Sequence, residues 1–151
     1  MKWFFVALAI LIVLGALVAI VGSTLPRTHK ASRTLTIGHS PGEIWPALMQ
    51  AIGASSVPVE VVESRPPFRQ VTRVTEQEKN FGGTWTIDVR PRPSTTSGGV
   101  ESTVTITEEG WVANPIFRFV SRFVMGHHAT MDAILRSVAK TLNEPASLSG
   151  E

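Results

Sequence analysis

The longest hydrophobic segment of the chain lies at its N-terminus. Residues 3–22 are apolar and carry no charge: WFFVALAILIVLGALVAIVG. At about 1.5 Å of rise per residue, roughly twenty residues match the hydrocarbon thickness of a bilayer. A helix in a soluble core would show a polar stripe, and this segment has none. We therefore expect a transmembrane helix and assign residues 1–22 to a membrane anchor.

A cleaved signal peptide is the alternative, since the short side chains at residues 21–23 would suit a signal peptidase. The apolar segment is longer than the roughly 7–15 residues of a signal peptide core, which favours a retained anchor. Lys2 precedes the span, whereas Arg27, Lys30 and Arg33 follow it. By the positive-inside rule, this distribution favours a single-pass protein whose soluble part lies on the cytoplasmic side.

Beyond a polar linker at residues 23–32, the hydrophobic pattern alternates with the period of β-strands. The clearest alternation places Trp85, Ile87 and Val89 on one face and polar residues on the other. Strands with one polar face and short connections are typical of an antiparallel sheet covered on one side. The predicted strands are residues 33–39, 57–63, 69–76, 82–90 and 100–107.

Two segments show helical spacing instead. Ser40, Pro41 and Glu43 form a capping-box pattern at the start of a helix over residues 41–51. Asn114 and Pro115 begin a second helix, whose apolar positions recur to residue 142 and which Gly126 could bend. The residues of this helix predicted to face the sheet and be buried are Val120, Phe123, Met131 and Ile134.

Composition limits the classes of function. The chain has no cysteine, which excludes disulfides, thiolate metal sites and cysteine nucleophiles. Its net charge is only +2, and no basic cluster interleaved with aromatic residues indicates nucleic-acid binding. About 125 residues outside the anchor allow one domain, which we place at residues 33–142. We expect residues 143–151 to form a disordered polar tail.

The chain resembles the START-like (SRPBCC) superfamily, in particular its polyketide cyclase/dehydrase and lipid-transport branch. The resemblance spans residues 33–142 and implies an α+β helix-grip fold, in which an antiparallel sheet wraps around a long C-terminal helix and encloses an apolar cavity. Many family members bind lipids, sterols or polyketides. The segments that carry the resemblance are IGHSPGEIWPAL (37–48), VVESRPPFRQVTRV (61–74), FGGTWTIDVRP (81–91) and VTITEEGWVANPIFRFVSRFVMGHHATMDAILRSV (104–138).

One departure from the family pattern affects the cavity. Family members usually place two further strands before the segment that matches VPVEVVES, whereas only residues 53–56 intervene here. On usual hairpin and helix lengths, the chain lacks roughly thirty residues at this point. We therefore predict fewer strands than the usual seven, an exposed sheet edge, and a cavity that is less completely closed.

The candidate binding residues are large side chains expected between the sheet and the final helix. In a fold built around a cavity, such residues serve as core and as cavity wall. We assign no catalytic residue, no metal ligand and no cofactor. The predicted ligand-binding residues are Trp85, Ile87, Ile106, Trp111, Phe123, His127 and Met131.

The polar residues give weaker indications of chemistry. Adjacent His127 and His128 point about 100° apart on a helix, so they do not easily bind one metal ion, although His128 could meet Asp132 one turn later. Glu108 could act as a general acid or base, but we favour a structural ion pair with Arg118 or Arg122.

Three functional hypotheses follow. The first is a membrane-tethered START-like module that binds a lipid or another hydrophobic small molecule. The second is a cyclase or dehydratase that uses Glu108 or His127 in the same cavity. The third is a ligand-free interaction module with an exposed sheet edge. Because the inward faces are apolar and acid–base groups are sparse, we favour the first, with the bilayer and a hydrophobic ligand as partners, no nucleic acid, and the oligomeric state open.

Overall fold

The computed structural model of the protein describes residues 2–54, 59–74, 81–93, 99–125 and 128–150. The helices are α1 (Lys2–Thr24), α2 (Pro41–Gly53), α3 (Pro115–Val120), which continues into a π-helical turn (Ser121–Met125), and α4 (Ala129–Thr141). The strands are β1 (Thr28–Ile37), β2 (Val59–Arg65), β3 (Arg69–Val74), β4 (Phe81–Pro93), β5 (Val100–Val112) and β6 (Leu148–Ser149).

The strands form one six-stranded sheet in the order β2-β3-β4-β5-β1-β6, and each neighbouring pair is antiparallel. The registers of β1 and β4 against β5 place Leu35 and Val89 opposite Val104, and Ile87 opposite Ile106. These residues therefore share one face of the sheet. The α+β class and a sheet with fewer than seven strands, both predicted from the sequence, are confirmed.

This face of the sheet is covered by α2 and α4, which also pack against each other. The three strands at its centre and the two helices contribute one continuous hydrophobic core. Met131 and Ile134 of α4 are buried as predicted. The side chains that are fully buried in this core include Leu35, Ile44, Leu48, Ile87, Val89, Val104, Ile106, Met131, Leu135 and Val138.

The C-terminal helical region does not form one continuous helix on the sheet. Only α4 packs in the core, whereas α3 packs against α1. Phe123 is 59% exposed, so the prediction that it is buried against the sheet is wrong, and Val120 is only half-buried. The physical reason is the π-helical turn, which changes the angle between successive side chains and so ends the helical periodicity assumed from the sequence. Gly126, the expected bend, lies outside the described residues.

The ends of the predicted domain also differ from the sequence-based boundaries. β1 begins at Thr28, so much of the predicted linker is strand, with Thr28 paired to Trp111. The tail predicted to be disordered instead returns to the sheet, where Leu148 pairs with Leu35. Both additions depend on pairing with distant strands, which the local pattern of these short segments does not reveal.

At the opposite edge of the sheet, no strand among the described residues pairs with β2 on its outer side. Its three valines, Val59, Val61 and Val62, are 42%, 53% and 50% exposed. This agrees with the predicted exposed edge. Short length and a bulge between Val61 and Glu63 are features by which proteins limit pairing at such an edge.

Helix α1 is the most exposed apolar part of the described structure. Among the described residues, it is the one helix long and apolar enough to cross a membrane. Along its length only Gly22 is buried, and Val18 and Ala19 are half-buried. These three residues lie near its C-terminal end, which identifies the part of α1 that meets the folded domain.

Candidate functional site

The predicted binding residues do not form one site. Ile87, Ile106 and Met131 are completely buried within the hydrophobic core. Trp85 is half-buried at the margin of this core, opposite Glu108 on the adjacent strand. The first three therefore hold the sheet and α4 together, and only Trp85 lies where the core ends.

Two other predicted binding residues, Trp111 and Phe123, lie away from this core. Trp111 belongs to the opposite face of the sheet, because the alternation of β5 separates it from Ile106. It packs over Gly82, where an added Cβ would lie 2.8 Å from the indole Nε1. Phe123 is exposed on the π-helical turn, and His127 lies outside the described residues.

A polar pair lies at one end of the core face, the face of the sheet that α2 and α4 cover. His29 of β1 and Glu108 of β5 approach to 3.4 Å between Nε2 and Oε1, and their side chains are 18% and 25% exposed. The imidazole lies over Gly110, where a Cβ would come within 2.8 Å of Nε2. A side chain at position 110 would displace the ring, so the glycine makes room for the histidine.

His29 is not among the residues predicted from the sequence, because it lies in the segment 23–32 that the polar composition predicts to be a linker. The alternation of the strand does extend back to it, since Leu35, Arg33, Ala31 and His29 share one face. That face contains a charged residue, Arg33, which interrupts the apolar pattern. The first part of β1 is therefore evident from its pairing with β5 and not from its hydrophobic pattern.

The ion pair predicted between Glu108 and Arg118 or Arg122 is not the one that the structure shows. The Glu108 carboxylate lies next to the His29 imidazole. The Arg118 side chain instead bonds to backbone carbonyls. The Arg118 guanidinium donates hydrogen bonds to the Leu25 carbonyl at 2.7 Å and to the Ala113 carbonyl at 3.2 Å. Arg118 thereby ties α3 to the residues that follow α1.

A cleft lies next to this polar pair, between the start of β1, the end of β5 and α3. It is shallow and open to solvent, and the space that it encloses is only about 30 Å³. The Val112 amide closes one side by donating to the Arg27 carbonyl at 2.8 Å. The lining residues are Leu25, Pro26, Arg27, Thr28, His29, Val112, Arg118, Ser121 and Arg122.

The cleft combines positive charge with apolar surface. Its lining residues include three arginines, Arg27, Arg118 and Arg122, and the apolar residues Leu25 and Val112. Arg118 is 8% exposed, and its buried Nε has no hydrogen-bond partner among the described groups.

The cleft is also close to α1 in the chain and in space. Leu25 follows directly after Thr24, the last residue of α1, and Pro115 of α3 lies against Gly22. An added Cβ at Gly22 would overlap the Pro115 carbonyl oxygen. The cleft therefore opens at the end of the apolar helix.

A second polar cluster lies on α4. Asp132 meets Arg33 of β1, with 3.0 Å between Oδ1 and Nε, and Arg136 of its own helix at 4.0 Å. The sequence analysis had considered a contact between Asp132 and His128 instead. Within the described residues, no three side chains of His, Asp or Glu are grouped as a metal site would require.

Comparison with known structures supports the fold. The chain is similar to a conserved protein from Geobacillus kaustophilus, with a TM-score of 0.57 and 13% identity over 80% of this chain and 99% of that chain. It also matches the Zhui aromatase/cyclase from Streptomyces sp. R1128, with a TM-score of 0.41 and 14% identity over 77% of this chain and 94% of that chain. No family model matches this sequence, and no curated protein matches it.

At identities this low, the similarity to the Geobacillus kaustophilus protein establishes a shared architecture and nothing about activity. The match nevertheless covers nearly all of that chain. The α+β architecture of this protein, a six-stranded antiparallel sheet covered by helices, therefore recurs in that protein.

Proposed function

We propose that this protein is a membrane-tethered START-like module that binds a lipid or another hydrophobic small molecule at the cleft beside α1. The observation that carries the proposal is the position of the cleft. It opens where α1 meets the domain, and it presents both guanidinium groups and apolar side chains. A lipid leaving a bilayer would meet the cleft without crossing water.

The interior of the domain supports a shallow binding mode. Ile87, Ile106 and Met131 fill the space between the sheet and α4, where the family resemblance implies a cavity. Because protein interiors are closely packed, these buried side chains leave little space for a ligand between the sheet and α4. We therefore propose that the ligand lies on the cleft and extends past His29 and Glu108 towards Trp85.

In this proposal α1 remains attached and the domain lies on the cytoplasmic side. The basic residues that follow α1 favour this orientation by the positive-inside rule. The fold places Arg118 and Arg122 at the same end of α1. Cytoplasmic leaflets carry anionic lipids, which attract basic residues close to a membrane span.

Native mass spectrometry of the full chain extracted in a mild detergent tests the proposal first. A lipid or another hydrophobic molecule should remain bound to the released protein. A titration with a fluorescent phospholipid then tests the site. Trp85→Ala should weaken binding by more than about tenfold, or 1.4 kcal/mol, and Glu108→Gln by less, because affinity rests on apolar burial.

Val61→Ala is the matched control, since Val61 is exposed on β2 at the far edge of the sheet. Circular dichroism must first show that each variant is folded. If Trp85→Ala and Val61→Ala bind the probe equally well, the proposed site is wrong. N-terminal sequencing that finds a mature chain beginning near Thr24 would contradict the tether.

One observation favours a second function, an enzyme of the cyclase or dehydratase type. His29 and Glu108 form a half-buried pair at 3.4 Å, which is the kind of arrangement that general acid–base catalysis requires. Under this alternative, Glu108→Gln would abolish turnover of a substrate while Trp85→Ala retained binding. The lipid titration and a turnover assay on the same two variants separate the two functions.

A further inference from the structure

The segment formed by α3 and the π-helical turn, residues 115–125, exposes several large apolar side chains beside α1. Ile116, Phe117, Phe123 and Val124 are 48%, 56%, 59% and 71% exposed. Single exposed apolar residues are common on protein surfaces, whereas four within one short segment mark a contact surface. We call this segment the α3 surface.

The α3 surface is fixed against the C-terminal end of α1. Gly22 lies so close to Pro115 that no side chain fits between them, and Arg118 donates to the Leu25 carbonyl at 2.7 Å. The contact leaves the apolar residues of both helices exposed on neighbouring surfaces. The medium that surrounds the C-terminal end of α1 therefore also contacts the α3 surface.

Charge near the α3 surface matches a bilayer interface. Arg122 is exposed within the segment, and Arg27 is exposed just before β1. Lys30 of β1 is also exposed, but it pairs with Glu109 at 2.6 Å. Apolar side chains of Phe, Ile and Val beside basic residues characterise interfacial helices, whose rings enter the headgroup boundary while the guanidinium groups meet lipid phosphates.

We propose that the α3 surface is embedded in the interfacial layer of the bilayer beside α1, as a second membrane contact of the domain. The occupant of this surface is lipid, because the apolar residues continue the exposed apolar surface of α1. This inference rests on the proposed function in one respect, that α1 spans the membrane. Two contacts, unlike one flexible tether, fix the orientation of the domain and hold the cleft at the membrane.

Because the chain contains no cysteine, single labelling sites can be introduced without background. The full-length variants Phe123→Cys, Val61→Cys and Leu8→Cys are labelled with an environment-sensitive fluorophore in vesicles of phosphatidylcholine and phosphatidylglycerol. Val61 is the matched control, because it is 53% exposed and lies on β2, four strands from β1. Leu8, 43% exposed on α1, reports the anchor. Circular dichroism verifies folding.

Quenching by nitroxide-labelled lipids and by aqueous iodide gives the result. At position 123, iodide quenching should be reduced by about fivefold or more relative to position 61, and lipid nitroxides near the headgroup should quench strongly. If the label at position 8 is in hydrocarbon while position 123 behaves as position 61 does, this inference is overturned and the anchor stands. If position 8 is exposed to water, the anchor and the inference both fail.

A second copy of the chain is the other occupant that the measurement detects. In that case, position 123 would be protected from iodide without being quenched by lipid nitroxides, and the protection would fall as the protein is diluted among more vesicles. That result would overturn the proposal that lipid covers the α3 surface.

Discussion

Truncation of two residues in the C-terminal helical region should give opposite results, although both occupy apolar positions in the sequence. Leu135 of α4 is completely buried in the core, whereas Phe123 on the π-helical turn is 59% exposed. The sequence alone predicts burial at position 123. The variants Leu135→Ala and Phe123→Ala therefore test whether the division of the final helix is correct.

The magnitude for Leu135→Ala follows from its burial. The substitution removes three carbon groups, and at about 0.8 kcal/mol for each buried group the loss of transfer free energy is about 2.4 kcal/mol. A cavity remains where the surrounding core cannot collapse, so the free energy of unfolding should fall by about 3–5 kcal/mol in total. Phe123→Ala should lower it by less than about 1 kcal/mol, as expected for an exposed site.

Urea unfolding of the full chain in a mild detergent, followed by tryptophan fluorescence, measures both values. With a slope of about 1–2 kcal/mol per molar urea, Leu135→Ala should shift the midpoint by about 1.5–5 M. The slope should stay constant among the variants. Equal midpoint shifts for the two variants, or a larger shift for Phe123→Ala, would refute the packing described here.

Two further predictions concern contacts at the ends of helices. Gly22→Ala should lower the thermal unfolding midpoint in detergent, because its Cβ would overlap the Pro115 carbonyl, whereas Gly15→Ala in the same helix meets nothing within 4 Å and should not; equal midpoints would contradict the α1–α3 contact. At the start of α2, the Glu43 carboxylate accepts hydrogen bonds from the Ser40 hydroxyl at 2.7 Å and the Ser40 amide at 2.9 Å, and these bonds lower the pKa of Glu43. The resulting stabilisation is present above the ordinary pKa of about 4.3 and is lost as the pH falls through the lowered value. Glu43→Gln should therefore be less stable than the wild type in urea titrations at pH 7, with a difference that shrinks below pH about 4; a constant difference would contradict this role.

The sequence by itself determined the features that depend on local pattern. Residues 3–22 are apolar at every position, so any structure must leave α1 in an apolar environment or bury it. The capping residues Ser40 and Glu43 fixed the start of α2, and the alternation around Ile87 fixed the core face of β4. The apolar helix α1, the start of α2 and the core face of β4 all lie where the local pattern predicts them.

The tertiary structure decided which distant segments meet. His29 joins the site because β1 pairs with β5 across 79 positions, and Glu108 meets it rather than Arg118 for the same reason. The apolar positions of the final helix were equivalent in the sequence, yet α4 packs on the sheet and α3 packs on α1. Hydrophobic periodicity indicates that one face of a helix or sheet must be covered, but it does not indicate which other element covers it. That choice depends on long-range packing, which places the cleft and the α3 surface together at the end of α1.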